Sequence, residues 1–121
     1  VSKTADEGRN AENSARVYLE QQGLQLLTRN FRCKYGEIDL IMQDRDMLVF
    51  IEVRLRRNLR YGGALASITP DKQRKLLTTA EIYLQQHNAR NRYAGMRFDV
   101  LGLSETGDNT EFEWIKNAFG Y

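Results

Sequence analysis

Residues 36–55 hold two β-forming runs separated by a short turn, and each run sets acidic residues inside an otherwise apolar alternation. The runs are Gly36-Glu37-Ile38-Asp39-Leu40-Ile41-Met42 and Leu48-Val49-Phe50-Ile51-Glu52-Val53-Arg54. Side chains along a strand alternate between faces, so Glu37, Asp39 and Ile41 share one face of the first strand. Leu48, Phe50, Glu52 and Arg54 share one face of the second. The remaining faces are nearly all Ile, Leu, Met and Val. A two-residue loop at Arg45 and Asp46 predicts Asp39 opposite Glu52 and Glu37 opposite Arg54. Opposed Cβ atoms lie about 4.5–5.5 Å apart. Carboxylates that close repel each other unless a cation stands between them, and a hard divalent ion such as magnesium suits oxygen ligands. The competing reading is a set of cross-strand salt bridges on a wet face. It accounts for Glu37 with Arg54 better than for Asp39 and Glu52, which are flanked by apolar residues.

The rest of the chain supplies an α/β frame around that hairpin. Ala11, Ala15, Tyr18 and Leu19 fall at helical spacing within a segment near Ala5 to Gln22, which Gly23 ends. Leu24 to Arg32 reads as a first strand. Gly36 to Gln43 and Met47 to Leu55 follow as strands around Asp44, Arg45 and Asp46. Arg56 to Ile68, with Gly62 and Gly63, reads as a loop. Thr69 as N-cap and Pro70 at the first helical position open a helix to about His87, with an apolar stripe of Leu76, Leu77, Ala80, Tyr83 and Leu84. Met96 to Leu103 and an edge strand at Glu111 to Ile115 complete a mixed sheet. At 121 residues the chain is read as one domain spanning 1–121.

Composition narrows the class. One cysteine, Cys33, and one histidine, His87, provide neither an internal disulfide nor a zinc site. No apolar run approaches the roughly 18 residues that cross a bilayer, and no signal-peptide core is seen near the N-terminus, so the expectation is cytoplasmic with no membrane partner. The net charge is only +2, but it is unevenly distributed. Arg54, Arg56, Arg57 and Arg60 crowd one stretch, Lys72, Arg74 and Lys75 follow, and Arg29, Arg32 and Lys34 precede them. Glu105, Asp108, Glu111 and Glu113 collect the acids near the C-terminus. A basic centre of this kind is either a polyanion-binding side or an ordinary solvated surface.

Single residues add candidates. Glu12 lies at the edge of the first helix's apolar stripe; the helical wheel alone favours solvent over the sheet. Free amides at the start of the second helix, with Lys72, Arg74 and Lys75, form a phosphate seat. Tyr61, among arginines and glycines, either stacks on a base or packs over its loop, and packing is the plainer reading. Asp99 reads as structural, Cys33 as inert, and Trp114 and Phe119 as core or interface.

The runs GEIDLI at 36–41, FIEVRLR at 50–56, YG at 61–62, TPDKQRKL at 69–76, RFDV at 97–100 and WIKNAF at 114–119 resemble the YraN-type family. Those small proteins are assigned to the restriction-endonuclease-like fold. The helix glutamate and the Asp–Glu core are also similar to archaeal Holliday-junction resolvases and, more broadly, to PD-(D/E)XK nucleases. The resemblance implies a mixed central sheet flanked by helices. It also implies a magnesium or manganese ion on Asp39 and Glu52, with Glu12 in support. It implies Lys72 and Gln73 as helix-borne members of the site. The family pattern carries lysine where this chain has Arg54. Arginine cannot act as a base, but it can hold a phosphate or stabilise developing charge.

Three functions are therefore expected in turn. The first is a metal-dependent endonuclease-like phosphodiesterase on DNA or structured nucleic acid, branched DNA included. Arg56, Arg57, Arg60, Tyr61, Lys72, Arg74 and Lys75 would contact the substrate. The second is a nuclease-derived module that binds without cutting. The third is a protein-interaction domain. The resolvase likeness allows a symmetric homodimer, although no segment marks an interface.

Overall fold

The computed structural model describes residues 3–57 and 63–120. The elements run α1 (Lys3–Gln21), β1 (Gln25–Cys33), β2 (Gly36–Asp44), β3 (Met47–Leu55), α2 (Pro70–Gln86), β4 (Gly95–Thr106) and β5 (Asn109–Phe119). A short 3-10 turn, Leu65–Ser67, precedes α2. The expected order of one helix, three strands, one helix and two strands is the observed one. The last strand is longer than its apolar run suggested, because pairing with β4 extends it at both ends.

The five strands lie in the order β1-β2-β3-β4-β5. All neighbouring pairs are antiparallel except β3 and β4, which are parallel. Parallel neighbours need a crossover, and α2 supplies it. Thr69 caps that helix by accepting from Lys72 N–H at 3.1 Å, and Pro70 stands at its first turn, as the sequence predicts.

Helices cover both faces. Ala15 and Leu19 of α1 pack with Leu40, Met42, Val49, Ile51 and Leu101. Leu76, Ala80, Tyr83 and Leu84 of α2 pack with Ile38, Ile41, Leu48, Phe50, Phe98 and Val100. The central strands are thus buried on both sides, which explains their near-continuous apolar character. This is the mixed-sheet, restriction-endonuclease-like α/β architecture.

Asp99 is structural, in line with its sequence reading. It is fully buried and accepts from Arg97 Nε at 3.0 Å, Trp114 Nε1 at 2.9 Å and Asn117 N–H at 2.9 Å. The β4–β5 register shifts between Phe98 and Val100, where Asn117 takes a φ of 52°. The Asp99 carboxylate fills that irregularity and satisfies the amide it would otherwise orphan. Arg97 also reaches Asp44 Oδ2 at 2.9 Å, tying β4 to the end of β2. Among the described residues, no helix is long and apolar enough to cross a membrane.

Candidate functional site

The β2–β3 ladder has the register that a two-residue loop predicts: Asp44 pairs with Met47, Ile41 with Phe50 and Leu40 with Ile51. Pairing stops after Leu40–Ile51, one step short of Asp39 and Glu52. β2 continues instead along β1 to Gly36, and β3 continues along β4 to Leu55. The two strands diverge, and a cleft opens between them. Asp39 bridges its apex, accepting from Val53 N–H through Oδ2 at 2.8 Å. A side-chain carboxylate thereby takes the place of a missing ladder carbonyl.

The divergence removes both expected ladder pairs, and Asp39 and Glu52 meet only through their side chains. Glu37 does not meet Arg54. Glu37 pairs with Arg32 Nε at 3.3 Å, and Arg54 Nη2 lies 3.3 Å from Glu52 Oε2.

A cavity of about 200 Å³ occupies the cleft. Its walls come from Gly8, Ala11 and Glu12 of α1, Glu37 and Asp39 of β2, Glu52 to Leu55 of β3 and Lys72 of α2. The small Gly8 and Ala11 leave room beneath the helix. Glu12 therefore faces the site and not open solvent, correcting the wheel reading. Asn30 of β1 hydrogen-bonds its side chain. Asn30 has a φ of 52° and stands opposite Asp39, between the pairs Arg29–Leu40 and Phe31–Ile38. The sequence reading missed Asn30. Its signal is faint: an asparagine, which tolerates left-handed backbone, inside a β-rich run.

Electrostatics mark the acids as held at a cost. Burial pushes Asp39 up to about 8, and its hydrogen bond and charge contact with Glu52 push the same way. The Val53 amide opposes the shift. Glu12 is also raised, first by burial and then by Asp39, while Asn30 pulls it back. Glu52 is only 5% exposed, and two cations approach its Oε2: Arg54 at 3.3 Å and Lys72 Nζ at 3.5 Å. Arg54 Nε is buried and has no hydrogen-bond partner.

Glu12, Asp39, Glu52, Arg54 and Lys72 thus share one cavity. Gln73 does not line it; its Nε2 donates to Ile68 O at 3.2 Å, within the loop that enters α2. Arg74 and Lys75 are exposed and paired with Asp71 at 3.2 and 3.4 Å. Arg56 and Arg57 line an adjoining hollow with Asn10, Leu55 and Glu105. Arg60 and Tyr61 lie outside the described residues.

Among the described residues, no group of three or more Asp, Glu, His or Cys side chains is arranged to ligate a metal. The donor set is a pair, Asp39 and Glu52. That pair fits a magnesium-like ion, which is commonly held by one or two carboxylates and keeps several waters. Burial and the neighbouring Glu52 both disfavour the ionised form of Asp39, and a cation between the two would relieve that repulsion.

Sequence comparison adds relatives. The family described as "Uncharacterised protein family UPF0102" matches residues 11–103. A UPF0102 protein of Herminiimonas arsenicoxydans is 50% identical over 111 residues, covering 92% of this chain and 84% of the relative. A UPF0102 protein of Nitrosomonas eutropha is 50% identical over 119 residues, covering 98% of this chain and 97% of the relative.

Proposed function

We propose that this chain, which belongs to the uncharacterised family UPF0102, the YraN-type group, binds nucleic acid in the β2–β3 cleft and hydrolyses a phosphodiester there with magnesium or manganese. The observation that carries the reading is the buried pair Asp39–Glu52 at the apex of a cleft, with Lys72 and Arg54 both within 3.5 Å of Glu52. Acids of this depth with cations at their rim are what an anionic substrate and a divalent ion require together.

When bound at the pair, a divalent cation supplies Lewis acidity and a water acidic enough to attack at neutral pH. The chain's own groups do the rest. Asp39 is aimed by the Val53 amide, and with Glu52 it would hold the ion. Glu12 stands beside it, oriented by Asn30. The unpartnered Arg54 Nε–H is a donor awaiting an acceptor, and a phosphate oxygen suits it. Arg54 moves no proton, because a guanidinium stays charged at any working pH. Lys72 brings an ammonium to the same side, so charge developing on the phosphate meets two cations.

The test is incubation with single-stranded, flapped, branched and duplex DNA and RNA, with magnesium or manganese. Cleavage should require the metal and disappear in Asp39→Asn and Glu52→Gln. A second reading, a module that binds without cutting, rests on Arg54 standing at the lysine position. Tight, salt-sensitive binding with no metal-dependent product on any substrate decides for it.

A further inference from the structure

Two exposed apolar side chains stand at the ends of the strands that wall the acidic cavity: Tyr35 just before β2 and Leu55 at the end of β3. Tyr35 is 47% exposed in the β1–β2 turn, two residues before Glu37. Leu55 is 42% exposed at the end of β3 and lines the cavity itself. The Tyr35 ring packs into neither core cluster, and the Leu55 side chain opens onto the adjoining hollow of about 400 Å³.

Both are set among cations on firm backbone. Lys34 Nζ lies 5.1 Å from the Tyr35 ring centroid, and Arg32 is 74% exposed on the same hairpin. The hairpin end is seated on α2: a Cβ at Gly36 would come within 3.1 Å of Thr79 Oγ1. Beyond the end of β3, Arg56 N–H donates to Leu103 O at 2.8 Å, and Ser104 Oγ donates to Arg57 O at 3.1 Å. The hollow beside Leu55 is thus walled by arginines whose backbone is pinned to β4.

We propose that the cleft takes a strand whose bases are unpaired beside the reacting phosphate, with Tyr35 and Leu55 contacting those bases. This rests on the nucleic-acid reading above and narrows its substrate class. In a continuous duplex the base faces are stacked away, so an exposed ring and an exposed leucine gain nothing from it. An unpaired strand presents those faces. Stacking on them is sequence-tolerant, while cations follow the phosphates. Asn10 and Glu105, in the same hollow as Leu55, offer an amide and a carboxylate to a base edge.

The experiment is equilibrium binding of fluorescent oligonucleotides of equal length, in EDTA so that nothing is cut. Its arms are single-stranded DNA, single-stranded RNA and blunt DNA duplex. The wild type should favour single strands over duplex by about tenfold. Tyr35→Ala should weaken single-strand binding roughly fivefold to tenfold, in line with loss of one stacked base, and Leu55→Ala by about threefold, in line with a lost apolar contact. Duplex binding should hold within about twofold, and Tyr35→Phe should restore the wild-type preference. A 2-aminopurine placed in the strand should be quenched by the wild type and less by Tyr35→Ala. Equal or stronger binding of duplex by the wild type overturns this inference and leaves the nucleic-acid reading standing. So does an equal loss on duplex and single strand in both variants. No binding in any arm overturns both.

Discussion

The Lys72 ammonium stands 3.5 Å from Glu52 Oε2, joining the first turn of α2 to the end of β3 across the mouth of the cleft. The two residues are twenty positions apart, and the crossover between β3 and α2 brings them together. Lys72 keeps 42% of its side chain exposed, yet its ammonium reaches the buried carboxylate. It is a member of the same cavity as Asp39 and Arg54.

Lys72→Ala should lower the cleavage rate by about 10²-fold, within the usual range for a positioned proton-transfer or charge-stabilising group. Manganese affinity, read by calorimetry, should stay close to wild type, because Asp39 and Glu52 remain. Arg54→Lys places there the lysine that the nuclease resemblance implies, and its activity should hold or rise. A Lys72→Ala rate equal to wild type would assign the ion pair with Glu52 to structure alone.

Asp39→Asn should stabilise the metal-free protein, and more so as pH rises. The folded-state Asp39 is pushed up to about 8 from an ordinary 3.8. Between those values unfolding releases a proton, so this group's contribution to stability falls as pH rises and levels off above the folded value. Asparagine keeps an acceptor for Val53 N–H and removes the charge. The difference in Tm between variant and wild type should be small near pH 4 and grow toward pH 8. Magnesium should reverse the order at pH 8, since only the wild type gains from loading. A variant that melts well below wild type at every pH would make Asp39 a structural pair member instead.

Binding should weaken steeply with salt. Each phosphate contact released contributes about 0.9 to the slope of log K against log salt on duplex DNA and about 0.7 on single strands. Arg56→Ala and Arg57→Ala together should reduce that slope by one to two, at roughly equal cost on all sequences. A flat salt response in the wild type would remove the polyanion reading.

Arg97→Met should destabilise the fold by about 3 kcal/mol while leaving the cleft intact, because it strands the buried Asp99 charge. Urea denaturation measures the loss, and manganese affinity at permissive temperature should be unchanged. Retained stability would show that Trp114 and the Asn117 amide suffice for Asp99.

The strand period of two, the turn at Arg45–Asp46 and the cap at Thr69 are local features, and local steric and hydrogen-bonding rules read them directly. That is why the element order and the β2–β3 register from Asp44–Met47 to Leu40–Ile51 were legible in the sequence by itself. Alternation also marked both acids as belonging to strands otherwise apolar. It could not reveal that β2 and β3 part after Leu40 and Ile51, because divergence depends on which neighbour each strand follows, β1 or β4. That parting separated Glu37 from Arg54 and made the cleft. The tilt of Glu12 over the sheet required Gly8 and Ala11 to face the gap and Asn30 to take left-handed backbone. The reach of Lys72 to Glu52, and the turn of Gln73 to Ile68 O, followed from how α2 docks on its face of the sheet. Periodicity reports which side chains share a face of one element; the distances between faces are set by packing, and only the tertiary structure decided those.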